Sequence, residues 1–465
     1  MPGWDRTRKL VEYEFTQSKE EGRDPAAVEA LRPALADARD DEQKLQAVWD
    51  RLLAVPMRSD WQFDEPSELA AIRARRAPGI RRAPLSYDDD ELLDRLHGAW
   101  LGRCCGCALG KPIEGWMGRH DDGTPTHKRI KRYLLAISPD EYPLNNYFTW
   151  NEAAGTTAGE RLWCEASWRE RIAFMESDDD IRYTVLGQII LDTRGRDFTT
   201  LDVARAWVGH LPYGYVCTAE TQAYRNLVAR HQFHFGQTKD DADVDWHWVA
   251  THHNSYREWI GAQIRVDSYG YAAPGNPELA AEFAWRDARL SHVKNGVYGA
   301  MFCAAMIAAA FVQDEPLKVV EAGLAEIPRT SRLYRDVRQV VDLARRHRFD
   351  PRNLEPALDE LHDSLGHYNA VHTNNNAGAV VLALLLGGDY LEKVITTAVM
   401  AGWDTDCNGA TAGSICGAMV GARRLPMKWT SPLRDTLRSA IIDYHPIAIT
   451  ECARRSLAIA QRVRG

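Results

Sequence analysis

The sequence lacks a long apolar run, an excess of basic residues and the alternating pattern of β-strands. Its most apolar stretch, Val297 to Val312, is shorter than a membrane span and predicts a buried helix instead of membrane contact. A formal net charge of -8 argues against a nucleic-acid-binding surface. No secretory signal is recognisable near Met1, so the nine cysteines are interpreted as reduced thiols of a cytoplasmic protein. Helical periodicity between polar loops predicts an all-α fold.

The chain is expected to divide into two regions. Residues 1–84 predict a helical extension, in which one helix face carries Leu45, Val48, Trp49 and Leu52. The basic tract 73–82 is interpreted as a solvated linker. Residues 85–465 form the second region, in which 118–157 predicts a loop. An insertion around 233–260 is rich in Trp and His without zinc-site spacing, so it is interpreted as packing over or closing a pocket.

Two aspartates precede a run of small residues between Ala401 and Trp429. Asp404 and Asp406 are followed by glycine and alanine at three- and four-residue spacing, which predicts a tightly packed helix. Two carboxylates are costly to bury there without a cation, and a hard divalent metal accepts carboxylate oxygen. A simple helix cap with a spare aspartate is the alternative.

A second glycine stripe, with one glycine every four residues, comes earlier in the chain. Ser86 to Leu93 predicts the capped start of a helix that continues through Gly102, Gly106 and Gly110. Pro112 is expected to end this helix. Glu114 follows the break, where it either turns back into a site or is solvated.

A third polar stretch, Ser177-Asp178-Asp179, precedes apolar residues whose spacing predicts a helix beginning near Asp180. The carboxylates of Asp178, Asp179 and Asp180 are consecutive and repel one another. A helix cap does not require three of them. A metal site and an acidic cap therefore both remain open. His292 borders the most apolar stretch and is either a core histidine or a ligand contact.

These three stretches together resemble the ADP-ribosylglycohydrolase family over about residues 88–430. Gly106 to Glu114 is similar to the family pattern GDxLGxPxE. Ser177 to Asp180 is similar to (S/T)DDT, and Gly402 to Asn408 is similar to GGDTDTN. The resemblance rests on three motifs in the family's order, each ahead of a small-residue or apolar helix.

The resemblance implies an all-α orthogonal helical bundle with two Mg²⁺ ions, or Mn²⁺, at the bottom of a cleft. It implies that the metal ligands are Ser177, Asp178, Asp179, Asp404 and Asp406. The implied catalytic residues are Glu114, Asp179 and Asp404, and the implied substrate contacts are Glu114 and His292. The expected function is metal-dependent hydrolysis of a glycosidic bond at the anomeric carbon of a ribosyl or ADP-ribosyl substrate. That substrate is expected to be a small molecule or an ADP-ribosylated protein.

Four positions depart from the family pattern and affect the expected pocket. Cysteine replaces the family's aspartate at Cys107 and its threonine at Cys407. Aspartate replaces a threonine at Asp180, and tryptophan replaces a glycine at Trp403. A thiol is a poor match for Mg²⁺. The alternatives are therefore an N-glycosidase of a small nucleoside-like metabolite and a non-catalytic ADP-ribose-binding relative. A helical metal phosphohydrolase is disfavoured because no histidine adjoins the aspartates.

Overall fold

The computed structural model describes residues 5–118, 122–230 and 238–464, and most of these residues are helical, which confirms the all-α prediction. The α-helices are α1 (Thr7–Glu20), α2 (Pro25–Glu29), α3 (Arg32–Ala38), α4 (Glu42–Ala54), α5 (Leu69–Ala74), α6 (Asp89–Gly110), α7 (Thr126–Ile137), α8 (Glu152–Ala158), α9 (Asp179–Arg194), α10 (Thr200–His210), α11 (Thr218–Arg230), α12 (Trp246–Thr251), α13 (Gly261–Ile264), α14 (Asp267–Ala272), α15 (Pro277–Ala288), α16 (Lys294–Ala310), α17 (Pro316–Leu324), α18 (Arg332–Arg346), α19 (Leu354–Leu365), α20 (Thr373–Gly387), α21 (Leu391–Met400), α22 (Thr405–Val420), α23 (Met427–Thr430) and α24 (Ile449–Arg464).

Short 3₁₀ turns and one small antiparallel sheet complete the described structure. The 3₁₀ turns are Lys111–Trp116, Pro139–Glu141, Glu165–Ser167, Gly195–Asp197, Tyr213–Tyr215, Asp241–Asp243, Pro351–Asn353, Ala422–Arg424 and Ser431–Leu433. The sheet pairs β1 (Thr436–Leu437) with β2 (Ile447–Ala448), in the register Thr436 opposite Ala448. Within the described ranges, no helix has both the length and the apolar character needed to span a membrane.

The two predicted glycine stripes pack against each other and bring α6 and α22 into backbone contact. A Cβ added to Gly102 would lie 2.0 Å from the carbonyl oxygen of Gly413, and one on Gly106 would lie 1.9 Å from that of Gly409. Only residues without a side chain allow this approach. Since the pairing runs antiparallel, the C-terminal end of α6 meets the N-terminal end of α22. Thr405 Oγ1 donates a hydrogen bond to the Gly110 carbonyl at 2.9 Å across that junction.

The helix boundaries near the three motifs agree with the sequence predictions. The helix α6 begins after Asp88, whose side chain caps Glu91 N at 3.0 Å, and it ends at Gly110 ahead of Pro112. The chain then continues as the 3₁₀ turn Lys111–Trp116. The helix α9 begins at Asp179, one residue from the predicted start.

Residues 118–157 were expected to form a loop, and this prediction is wrong for their helical parts. The structure has α7 and all but the last residue of α8 there. Ile130, Tyr133 and Leu134 are buried at helical spacing along one face of α7. Glycine, proline and aspartate around this short apolar face obscured its periodicity. Residues 119–121 of this stretch lie outside the described ranges.

The N-terminal helices enclose an apolar core of their own. The four residues expected on one face of α4 are all buried in it, which confirms that part of the prediction. The solvated-linker interpretation of 73–82 is wrong for Arg73 and Arg76, which form ion pairs, whereas residues 78–80 are exposed and irregular. Arg76 pairs with Glu278 at 2.9 Å and with Glu326, and Arg73 pairs with Glu282 at 2.7 Å. Acidic side chains more than 200 positions away in sequence hold this tract against the second region.

Buried ion pairs connect residues 1–84 to the second region. Arg257 pairs with Glu14 at 2.6 Å and with Glu21 at 2.7 Å, and all three side chains are nearly inaccessible to solvent. Arg332 pairs with Glu65 at 2.7 Å and with Glu258 at 2.6 Å, again in the interior. Removing one member of a buried pair leaves an uncompensated charge, so the two regions depend on each other.

Candidate active site

Asp404 and Asp406 lie at the first turn of α22, where α6 ends. Asp404 occupies the cap position of the helix, but its side chain forms no capping hydrogen bond. The simple-cap interpretation is therefore wrong for this residue. The Oδ1 atoms of both aspartates are buried without a hydrogen-bond partner. Burial raises the pKa of Asp406 to about 6, and burial together with the nearby Asp406 raises the pKa of Asp404 well above its usual value.

The start of α9 supplies the second set of carboxylates. Asp178 caps this helix, because its Oδ1 accepts a hydrogen bond from Asp180 N at 3.1 Å. Its Oδ2 contacts the Lys111 ammonium. Burial alone would raise the pKa of Asp178, but Lys111 holds that pKa well below its usual range. Burial and the neighbouring Asp178 raise the pKa of Asp179 to about 7. Ser177 is half-buried, and its Oγ has no hydrogen-bond partner.

A stripe of polar side chains lies directly beside the glycine stripe, on α6 and at the residue that follows it. Arg103, Cys107 and Lys111 recur every four residues, each one position after a stripe glycine. Arg103 lies between two buried aspartates, at 3.0 Å from Asp180 Oδ1 and 2.9 Å from Asp267 Oδ1. The glycines thus face α22 while this adjoining stripe faces the start of α9.

The potential ligand atoms form two groups that share Asp406. The Asp178 group comprises Cys107, Asp178, Asp180 and Asp406, and the Asp404 group comprises Asp404, Asp406 and Cys407. Within each group the potential ligand atoms all lie within 4.8 Å of one another, so each could hold a metal ion. Burial raises the pKa of both thiols.

The Asp404 group fits a divalent cation better than the Asp178 group does. Neither of its aspartates is part of a described ion pair, and the Oδ1 atom of each is buried without a hydrogen-bond partner, as is Asp180 Oδ2 in the Asp178 group. Carboxylate oxygen suits Mg²⁺ and Mn²⁺, whereas the thiol of Cys407 would favour a softer ion. In the Asp178 group, Lys111 and Arg103 already pair with Asp178 and Asp180.

Glu114, for which the sequence left both a turn into a site and a solvated position open, interacts electrostatically with these carboxylates. It lies half-buried in the 3₁₀ turn that follows α6. The charge of Asp406, reinforced by burial, raises the pKa of Glu114 well above its usual value. Glu114 is thus electrostatically coupled to the Asp404 group, while its catalytic role remains a prediction.

His292 lies in a different polar cluster. Its Nδ1 is 2.8 Å from Ser291 Oγ and 3.9 Å from Glu220 Oε1. Burial lowers the pKa of this imidazole well below its usual value. A contact between His292 and substrate remains a prediction.

The predicted insertion around 233–260 is described only from residue 238, since 233–237 lie outside the described ranges. Its remaining aromatic residues stack on one another, with 4.5 Å between the ring centroids of Trp248 and His252. Trp248, His252 and neighbours on α11 line a cavity of about 800 Å³. Closure of a pocket by the insertion remains a prediction.

Trp403, which takes the place of a family glycine, has a backbone conformation that glycine would adopt more readily. Its φ is 58°, in the left-handed region. This conformation costs a residue with a Cβ on the order of 1 kcal/mol. The indole stacks on His362, with 4.2 Å between ring centroids. Packing of the ring therefore holds a strained residue directly before Asp404.

Asn376 positions the backbone of Asp404. Its Oδ1 accepts hydrogen bonds from Asp404 N at 3.2 Å and from Asn408 Nδ2 at 2.8 Å. Its amide donates to Ala370 O and His372 O, at 2.9 and 2.8 Å. The buried amide thus connects the start of α20 to the start of α22.

Sequence reasoning missed Lys111, Arg103 and Asn376 as members of this site. The first two were detectable, because they share a four-residue spacing with Cys107 on a helix already recognised by its glycines. No comparable local signal marks Asn376, since its partners lie 28 and 32 positions away in sequence.

Comparisons with known proteins agree with this fold. The family model described as ADP-ribosylglycohydrolase matches residues 88–461. A solved structure described as "ADP-ribosylglycohydrolase-related protein complex" superposes with a TM-score of 0.50, covering 80% of this chain and 99% of that chain. At 18% sequence identity, this likeness shows the fold alone. No curated protein sequence matches the chain.

Proposed function

Because the chain belongs to the ADP-ribosylglycohydrolase family, we propose that it is a metal-dependent hydrolase of a glycosidic bond at the anomeric carbon of a ribosyl or ADP-ribosyl substrate. The observation that carries this proposal is the pair of buried, unpartnered carboxylate oxygens on Asp404 and Asp406. Such oxygens are costly in a protein interior unless a cation binds them. The proposed substrate is a small molecule or an ADP-ribosylated protein.

The proposed cation is Mg²⁺, with Mn²⁺ as the alternative. Asp404 and Asp406 would hold it, and Ser177, Asp178 and Asp179 are the further ligands that the family resemblance implies. When bound, a divalent cation would supply positive charge that orients the sugar hydroxyls and polarises the attacking water. The resemblance implies two ions.

Glu114 is the proposed acceptor of the proton that the attacking water loses. Its raised pKa makes it a stronger base than an ordinary carboxylate. Asp179, with a pKa of about 7, and Asp404 are the alternative acceptors. Attack of water at the anomeric carbon passes through an oxocarbenium-like state, which nearby carboxylates stabilise.

A substrate panel tests the proposal. Purified protein with added Mg²⁺ or Mn²⁺ is offered ADP-ribosyl-arginine, ADP-ribosyl-serine, O-acetyl-ADP-ribose and nucleosides, and the released sugar is identified by mass spectrometry. We expect release of free ADP-ribose that stops when a chelator is added. Release of ribose from nucleosides alone would instead identify an N-glycosidase of a small metabolite. Bound metal without any product would contradict the hydrolase assignment for these substrates.

A pair of matched variants tests the site itself. We expect Asp404→Asn to lower turnover by about 100-fold or more, by analogy with the loss of one preorganised catalytic group. Asp389→Asn is the control, because Asp389 is exposed and pairs only with the exposed Arg424 at 2.6 Å among its described contacts. Full turnover of Asp404→Asn would refute the assignment.

A further inference from the structure

A buried ammonium group lies inside the Asp178 group. Lys111 directly follows the last residue of α6, and its Nζ contacts Oδ2 of Asp178. Their side chains are 10% and 5% exposed, so bulk water does not separate them. One carboxylate expected to bind metal therefore already has a cationic partner within the protein.

The remaining charge of the two groups is distributed unequally. Asp180 shares Arg103 with Asp267, at 3.0 and 2.9 Å, and Asp178 pairs with Lys111, so two carboxylates of the Asp178 group each have a cationic partner. The Oδ1 atoms of Asp404 and Asp406 are buried without a hydrogen-bond partner, and so is Asp180 Oδ2, although Asp180 has an ion pair through its Oδ1. Among the described ion pairs, none includes Asp404 or Asp406. Of the carboxylates in the two groups, Asp404 and Asp406 are thus the two without a described ion-pair partner, and both belong to the Asp404 group.

The position of Lys111 is fixed by the helix junction. The preceding residue, Gly110, packs so closely on α22 that an added Cβ would lie 2.3 Å from the Thr405 carbonyl carbon. Thr405 also donates its hydroxyl hydrogen bond to the Gly110 carbonyl. With its backbone held in this way, Lys111 keeps its ammonium among the carboxylates. A divalent ion on the same Asp178 oxygen would meet a like charge at short range in a buried site.

We infer that the Lys111 ammonium takes the place of one of the two expected ions, so that this site holds a single divalent cation in the Asp404 group. The inference rests on the proposed function, because it concerns the same site. It changes the role of Asp178 from metal ligand to partner of Lys111. The cation then depends on Asp404 and Asp406, with the thiol of Cys407 beside them.

Manganese binding tests the number of ions without a measurement of catalysis. Metal-free protein is titrated with Mn²⁺, the bound metal is counted per chain, and the electron paramagnetic resonance spectrum is recorded. We expect one Mn²⁺ per chain with the six-line spectrum of an isolated ion. Lys111→Met, which removes the charge but keeps the length, should admit a second ion, and coupling between the two should broaden the spectrum.

Two further variants separate charge from other effects. Lys111→Arg keeps the positive charge and should bind one ion. Lys128→Met removes an exposed lysine on α7 and should also bind one ion. If Lys111→Met fails to fold, the number of Mn²⁺ ions bound per chain of the unaltered protein still tests the inference of a single ion.

The outcomes distinguish this inference from the proposed function. Two coupled Mn²⁺ ions in the unaltered protein would overturn the role of Lys111 and leave the hydrolase proposal intact. A folded Lys111→Met variant with only one ion would overturn it as well. Absence of bound Mn²⁺ from the unaltered protein would contradict both proposals.

Discussion

Replacing Gly106 by alanine should push α6 away from α22 and destabilise the protein. The new Cβ would lie 1.9 Å from the Gly409 carbonyl oxygen and 2.2 Å from its carbonyl carbon. These are backbone atoms in the middle of a buried helix, so no side chain can rotate to relieve the clash. The helix that must move also carries Asp404 and Asp406, and activity should fall together with stability.

The magnitude follows from two opposing effects. Alanine is favoured over glycine in a helix by about 1 kcal/mol. Overpacking a well-packed interior costs typically about 1–3 kcal/mol and more where backbone is involved. Since this clash involves backbone atoms, we expect an overpacking cost at the upper end of that range. After the helix preference of alanine is subtracted, the free energy of unfolding should fall by about 2 kcal/mol or more.

Equilibrium unfolding in urea, followed by circular dichroism, measures this loss. Gly209→Ala is the matched control, because Gly209 lies in α10, is exposed, and an added Cβ would meet nothing within 4 Å. This control should be stabilised by up to about 1 kcal/mol. Equal midpoints for Gly106→Ala and the unaltered protein would refute the close packing of the two stripes.

Three further predictions concern the buried polar groups. Burial raises the pKa of Glu20 to about 8 from its ordinary 4.5. Between these two pH values the folded protein retains a proton that the unfolded chain loses. The free energy of unfolding should therefore fall as the pH rises from 4.5 to about 8. Glu20→Gln should remove this part of the pH dependence, about 1.4 kcal/mol for each pH unit within the interval. Deleting residues 1–84 should prevent folding, because the buried Arg257 would lose both of its carboxylate partners. Asn376→Leu should cost about 1–3 kcal/mol of stability and lower turnover, because Asp404 N would lose its buried acceptor.

Each of these predictions has its own control. The control for Glu20 is Glu42→Gln, an exposed substitution on α4. Measured by urea unfolding between pH 5 and 8, the free energy of unfolding of this variant should change with pH as it does in the unaltered protein. A similarly steep pH dependence in Glu20→Gln would contradict the first prediction. A truncated chain with native circular dichroism would contradict the second. For the third, Asn376→Asp retains an acceptor oxygen, and equal turnover of the leucine and aspartate variants would argue against positioning of Asp404.

The helices that carry the site could be predicted from the sequence because their signals are local. Gly102 and Gly106 repeat at four-residue spacing, and Asp404 precedes a second small-residue run, so both packing stripes were recognisable. Their mutual contact was not, because the Gly106–Gly409 approach joins positions about 300 residues apart.

The spacing of Arg103 and Lys111 was detectable, but the carboxylates with which they pair could not be predicted for the same reason. Lys111 and Asp178 are 67 positions apart, and Arg103 and Asp180 are 77 apart, so neither pair leaves a mark in a local window. The ion pairs of Arg73 and Arg76 in the basic tract could not be predicted, because local composition shows their charge but not the distant carboxylates that pair with them.

The most direct test of the proposed chemistry measures bound metal and product release in one sample. The unaltered protein and Asp404→Asn are each stripped of metal, reloaded with Mg²⁺ or Mn²⁺, analysed for metal content and supplied with an ADP-ribosyl substrate. The proposed function predicts that the unaltered protein regains both the cation and the release of ADP-ribose, while the variant loses both. Release of ADP-ribose by metal-free protein, or by Asp404→Asn at the original rate, would contradict it.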